Sequence, residues 1–160
     1  AVGGSFIRCE NFVLAHVADE GLLSRAEAGP LLRYRLAVGA EGIAVVCDVK
    51  KKHASHAITA DVSLGETVEA AEFFGADGVI VTGTATGKPA EIEDVREARG
   101  ATGLPVLVGS GVTPDQLGEL FASADGVIVG SWIKKGGVWS NAVDVRRCVR
   151  MARAAEAARR

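Results

Sequence analysis

The hexapeptide Ala-Asp-Gly-Val-Ile-Val stands twice in this chain, beginning at Ala76 and again at Ala124. The copies lie two repeats of about 24 residues apart, the modulus of a strand–helix unit. An unbroken valine–isoleucine run suits a strand buried on both faces, as in a parallel sheet covered by helices. Reading outward from the two copies gives five such strands: GSFIRCE (4–10), GIAVVCDVKKKH (42–53), ADGVIVTGTATGKP (76–89), PVLVGSG (105–111) and ADGVIVGS (124–131). Each is followed by a helical pattern, so the class is α/β. Five units fit either a complete doubly wound domain or the last five units of a TIM (β/α)8 barrel. Polar or glycine clusters end every strand, as the site-building loops of a barrel do, and this favours the barrel. The 160 residues then form a single partial β/α-barrel domain. Its front units are expected to be missing, since such barrels need about 250 residues. Open sheet edges favour association, which leaves a homo-oligomer open.

Local signals set the helix boundaries. Pro30 opens a first helix that ends at Gly39, and Ser63 caps a second whose Val68, Ala71 and Phe74 face inward before Gly75. Thr113, Pro114 and Gln116 form a capping box. Asn141 and Asp144 open a last helix to Arg160, expected to turn Val145, Cys148, Val149 and Ala152 inward. The long polar stretch Asn11–Gly29 reads as a candidate lid. The Trp132–Trp139 loop is expected to pack over the barrel mouth rather than form a partner surface.

Composition excludes several classes. Net charge is −2 with both signs mixed, which gives neither a nucleic-acid nor a membrane footprint. No apolar run approaches a transmembrane span. Cys9, Cys47 and Cys148 are odd in number and widely spaced, so reduced, inert thiols of an intracellular protein are expected. Three scattered histidines make no metal site, and no cofactor is expected. The chain begins with Ala1 almost directly in a strand, which reads as a lost beginning; any targeting signal would go with it, leaving cytoplasm or mitochondrion as the compartment.

The stretch Pro105–Lys134 carries the clearest binding signal. Two strands on either side of one helix each break into glycine and serine, exposing backbone N–H donors suited to phosphate oxygens. The candidate phosphate residues are Gly109, Ser110, Gly111, Gly130, Ser131 and Lys134; the plain alternative is that these glycines only let strands turn. For reaction chemistry, period-two alternation sends Val45, Cys47 and Val49 to the helices and Asp48 and Lys50 to the barrel mouth. With Lys52, His53, Arg8 and Glu10 they form the candidate catalytic set, able to divide proton removal from proton return or to form a lysine Schiff base. The plain alternative is a neutralised Asp–Lys pair. Thr82, Gly83, Thr86 and Asp61 are candidates for binding the rest of the substrate, and His16 and His56 read as loop residues.

FIR (6–8), DVKKKHASHAITAD (48–61), ADGVIVTGTATGKPA (76–90), PVLVGSGVTPDQL (105–117) and ADGVIVGSWIKKGG with NAVDVRR (124–147) together resemble the BtpA family. That family was first associated with photosystem I biogenesis and also occurs in non-photosynthetic organisms. The resemblance implies a ribulose-phosphate-binding type of TIM barrel, with this chain as its carboxyl-terminal part. The extended lysine–histidine and tryptophan blocks are similar to those of animal-type members, which argues against a literal photosynthetic role. The expected function is an enzyme binding a phosphorylated sugar or nucleoside-like molecule, of lyase, isomerase or glycosidic-bond-cleaving type. The alternatives are a non-catalytic assembly factor and a non-functional truncated fragment.

Overall fold

A computed structural model describes residues 3–85 and 87–159; Thr86 of the expected substrate set lies outside the described residues. In chain order the elements are β1 (Phe6–Cys9), β2 (His16–Ala18), β3 (Gly21–Leu23), α1 (Ala28–Ala37), β4 (Ala44–Val49), β5 (Ala54–Ser55), α2 (Leu64–Phe73), β6 (Gly78–Thr82), α3 (Ile92–Ala101), β7 (Val106–Gly109), α4 (Leu117–Leu120), β8 (Gly126–Ile128) and α5 (Val145–Ala158). Short 3-10 turns stand at Ala57–Thr59, Pro114–Gln116, Ser131–Ile133 and Lys135–Gly137. The five apolar strands form one parallel, curled half-barrel sheet in the order β1-β4-β6-β7-β8.

Alternation along these strands builds two surfaces. Val45, Cys47, Val79, Val81, Val106 and Val108 are almost completely buried against Val68 and Ala71 of α2, Val95 and Ala98 of α3, and Leu117. Each valine so buried contributes roughly 1.5–3 kcal/mol. The register pairs Arg8 with Val46, Asp48 with Ile80 and Thr82 with Gly109, and so lays these residues along the opposite, concave face.

The repeated hexapeptide has a structural meaning at its aspartates. Asp77 Oδ2 accepts from the Val45 N–H at 2.8 Å and from Arg35 Nη1 at 2.7 Å. Asp125 Oδ2 accepts from the Val106 N–H at 2.8 Å and from Arg99 Nη2. Each aspartate thus satisfies the start of the neighbouring strand and clamps it to the arginine of a helix. The caps expected at Ser63 and Thr113 form: Ser63 Oγ accepts from the Glu66 N–H while Glu66 Oε2 accepts from the Ser63 N–H, and Gln116 Oε1 accepts from the Thr113 N–H at 2.9 Å and from the Thr113 hydroxyl at 3.2 Å.

Three expectations change. The stretch Asn11–Gly29 is folded: β2 and β3 form a hairpin and β5 adds to β2, giving a small antiparallel sheet. Its neck is closed by buried Phe12 and by backbone bonds from Glu27 and Ala28 to Asn11 and Phe12. Phe74 lies outside, edge-on to Phe73, because it falls at the C-cap where the helical period has ended. The inward face of α5 is Arg147, Cys148, Met151 and Ala154–Ala155, while Val145, Val149 and Ala152 are exposed. That rotation puts Met151 into the core and brings Arg147 Nε to the Trp132 carbonyl.

Candidate functional site

Asp48 ends its side chain fully buried on the concave face, where Arg8 of the adjacent strand grips it with both arms: Nε to Oδ2 at 2.9 Å and Nη2 to Oδ1 at 2.8 Å. Burial pushes the Asp48 carboxyl above its ordinary range, and the Arg8 fork opposes that shift. The alternation expected to carry Lys50 beside Asp48 stops at Val49. Lys50 adopts φ 47 and sends its ammonium to the Val62 carbonyl at 2.6 Å. The buried cation is instead Lys51, whose Nζ lies 3.0 Å from Glu10 Oε2 and 3.5 Å from Glu20 Oε1. Burial acts to lower the Lys51 ammonium, but Glu10 and Glu20 outweigh it and hold it above the ordinary lysine value. Within the run Lys50-Lys51-Lys52 nothing in the residue types marks the middle lysine; only the backbone turn does.

Lys51 also anchors the small sheet. His56 Nε2 lies 3.1 Å from the Lys51 carbonyl, and the His56 ring stands 5.4 Å from that of buried His16. A pocket of about 10 Å³, the room of one water, is lined by Glu10, His16, Lys51 and Thr67. Burial, with His56 and Lys51, holds His16 below its ordinary value. His53, at φ 54, lies with Nδ1 3.9 Å from Asp19, and Asp61 is exposed just before the Ser63 cap.

At the carboxyl ends of the main strands, one cleft of about 250 Å³ is lined by Arg8, Lys52, Gly87, Ser110, Gly111, Ile128, Gly130, Ser131 and Trp139. Every main strand or the loop after it contributes. Lys52 is positioned through its backbone N–H, which donates to buried Thr82 Oγ1 at 3.2 Å; among the described residues its ammonium has no ion-pair partner. Ser110, at φ 75, bridges two loops: its hydroxyl donates to the Ala85 carbonyl and accepts from the Gly87 N–H. Lys134 does not line this cleft; its backbone bridges to Val143.

The glycines separate into two kinds. A Cβ on Gly83 would fall 2.2 Å from the Lys88 carbonyl oxygen, and one on Gly111 would fall 2.3 Å from the Pro89 nitrogen, so both are required by the closely passing 88–89 backbone. Gly109 makes room for Ile80 and Thr82. At Gly130 an added Cβ meets nothing within 4 Å, so packing does not explain that glycine.

A larger cleft of about 470 Å³ opens beside it between the β4 and β6 loops and the starts of α2 and α3, lined by Lys50, Lys52, Gly83, Thr84, Asp94 and Glu97 among others. Burial and then Glu97 and Glu91 push the Asp94 carboxyl up, an environment already rich in negative charge. Burial pushes the Cys47 thiol up to about 12 and raises Cys9 as well, so neither is a ready nucleophile. Among the described residues no group of three or more His, Cys, Asp or Glu side chains is placed to hold a metal ion, and no helix is long and apolar enough to cross a membrane.

A family model for the BtpA family matches residues 1–157. A Caenorhabditis elegans protein designated mitochondrial is 49% identical over 145 residues, covering 91% of this chain and 52% of that protein. The photosystem I biogenesis protein BtpA of Synechocystis is 38% identical over 144 residues, covering 89% of this chain and 49% of that protein. The chain therefore spans about half the length of these relatives. Among solved structures, thiamine phosphate pyrophosphorylase from Pyrococcus furiosus, of the TIM-barrel type, superposes with a TM-score of 0.58 at 16% identity, covering 97% of this chain and 60% of that one. Its likeness is one of fold. With the family match running almost from end to end, the chain belongs to the BtpA family.

Proposed function

We propose that the rim cleft binds the phosphate of a small phosphorylated metabolite and that the whole protein is an enzyme acting on it, by proton transfer or by cleavage of a carbon–oxygen, carbon–nitrogen or carbon–carbon bond. The observation that carries this reading is the convergence of all five strand ends on one cleft, with Lys52, Arg8 and the Gly130–Ser131 corner facing the same space. The loops after the last two strands of a β/α barrel, followed by a short helix, are where phosphate is held in this fold; here a 3-10 turn begins at Ser131. The larger neighbouring cleft suits an anion less, because Asp94 and Glu97 line it. Asp48, with its raised pKa and its Arg8 fork, is the candidate proton-transfer group on the inner face, and Lys51 with Glu10 is a second ionic pair near it. The compartment we favour is mitochondrion or cytoplasm, the former in line with the name of the nematode relative.

The test is thermal unfolding of the intact protein with ribose 5-phosphate, with ribose and with inorganic phosphate. At a hundred times Kd a specific ligand adds about 2.7 kcal/mol. Stabilisation by the phosphorylated compounds alone, lost in Lys52→Ala, is the expected result; equal behaviour of ribose and ribose 5-phosphate overturns the reading. An assembly factor is the second reading, motivated by the photosystem I biogenesis role for which the Synechocystis relative is named. An intact cleft indifferent to every phosphate compound, together with recovery of a stoichiometric protein partner, favours it.

A further inference from the structure

The rim cleft has a continuation. A second cleft, of about 290 Å³, shares Gly87, Gly111, Gly130, Ser131 and Trp139 with it and extends away from Arg8 and Lys52 towards Val112, Trp132 and Val138. Each alone falls below the roughly 300 Å³ at which ligand pockets usually begin; joined through their common floor they lie within that range. The joined space has two chemistries, Arg8 and Lys52 at one end and Val112, Trp132 and Val138 at the other, with Ser131 and Trp139 bordering both.

The two indoles differ in what they already touch. Trp132 packs against the core, and the guanidiniums of Arg147 and Arg150 lie 4.3 and 5.7 Å from its ring centre, so it is a finished wall. Trp139 is 69% exposed, and among the described residues no aromatic ring or guanidinium stacks on it. The backbone of its loop is nevertheless held on both sides of it. Asn141 Nδ2 donates to the Lys135 carbonyl at 2.9 Å, the Asn141 N–H donates to the Val138 carbonyl, and the Lys135 N–H donates to the Ala142 carbonyl. An indole carried on a hydrogen-bonded loop, bordering the rim cleft and serving no core, suits a stacking platform whose backbone is already ordered.

We infer that the ligand of this site carries a flat heteroaromatic ring as well as its phosphate, as a nucleoside monophosphate does, and that Trp139 selects it by stacking. This rests on the phosphate reading of the rim. The phosphate sits between Lys52 and the Gly130–Ser131 corner, and the ring lies over Trp139 in the apolar half.

The experiment is a tryptophan-fluorescence titration of the intact protein with inorganic phosphate, ribose 5-phosphate and each of the four common nucleoside 5′-monophosphates. At least one nucleoside monophosphate is expected to bind more tightly than ribose 5-phosphate and to quench emission. Trp139→Leu is expected to abolish the quench and weaken that nucleotide roughly five- to 150-fold, leaving ribose 5-phosphate within about twofold, while Trp132→Phe retains the quench. If ribose 5-phosphate binds as tightly as every nucleotide, or Trp139→Leu weakens both alike, the stacking inference is overturned and the phosphate site stands. If no phosphorylated compound binds, the phosphate reading itself falls and this inference with it. The wild-type comparison of sugar phosphate with nucleotide decides the matter even if the leucine variant does not fold.

Discussion

Replacing Arg8 by glutamine removes two charge-assisted hydrogen bonds, of 2.8 and 2.9 Å, from a carboxylate whose side chain has no solvent exposure. Orphaning one member of a buried ion pair costs about 3–5 kcal/mol. The Arg8 side chain is 31% exposed, so water can follow it out and the loss belongs at the lower end, about 3 kcal/mol. Asp48→Asn alone, which keeps an acceptor oxygen for the guanidinium, should lose less, about 1–2 kcal/mol. The double variant replaces the pair by two amides and should recover part of the deficit, with a coupling of about 2 kcal/mol. The pH dependence has a definite sign. In Arg8→Gln the Asp48 carboxyl loses the group that opposed the effect of burial, so its folded pKa rises further above the unfolded value. A carboxyl shifted upward binds extra protons in the folded state, so stability is lost as pH rises from about 4 through the folded pKa. The deficit of Arg8→Gln should therefore shrink on acidification from about pH 7 towards about pH 4. Urea unfolding of the intact protein at both pH values reads it. A loss under about 0.5 kcal/mol, or a deficit that grows in acid, refutes the picture of Asp48 as a buried carboxylate held by Arg8.

Other expectations follow from single contacts. Asp77→Ala and Asp125→Ala each orphan a strand N–H and remove an arginine's ion-pair partner, the arginines keeping their bonds to backbone carbonyls, so each should cost about 1–3 kcal/mol in urea unfolding; the two share no partner, so the double variant should match their sum. The Val106 N–H, and then Arg99, hold the Asp125 carboxyl below its ordinary value, so the stability it lends is present above about pH 4 and lost as pH falls through the folded pKa. An acid titration of wild type against Asp125→Asn should show the two converging in acid. Gly83→Ala should prevent normal folding, because its methyl meets backbone, whereas Gly130→Ala should fold with a wild-type melting temperature and lose phosphosugar affinity; equal melting temperatures for the two variants contradict the division of the glycines.

The sheet was legible because parallel strands buried on both faces must be apolar along their length, and Val79–Val81 and Val106–Val108 are so written. The caps at Ser63 and Thr113 were legible because a hydroxyl and a Glu or Gln three residues on satisfy helix donors within one turn. The rim cations were partly legible: Arg8 and Lys52 reach the cleft, while Lys50 turns away through a positive φ that no residue type announces. The hairpin of β2 and β3 has three residues per strand, too few for a period-two signal, and needs the distant Ala54–Ser55 to complete it. In α5 alanines lie on several sides, so composition did not fix its rotation; Arg147 and Met151 did. The repeat itself is visible in the sequence, but the clamp of its aspartates on the arginines is a tertiary contact between distant positions that no local pattern announces.

Diffraction from crystals of the intact protein soaked with a phosphosugar locates the anion directly. Phosphate density within hydrogen-bonding reach of the Gly130 and Ser131 backbone and of the Lys52 ammonium is the predicted result. Density between the starts of α2 and α3 beside Lys50, or a rim cleft that stays without phosphate when the ligand binds elsewhere, contradicts it.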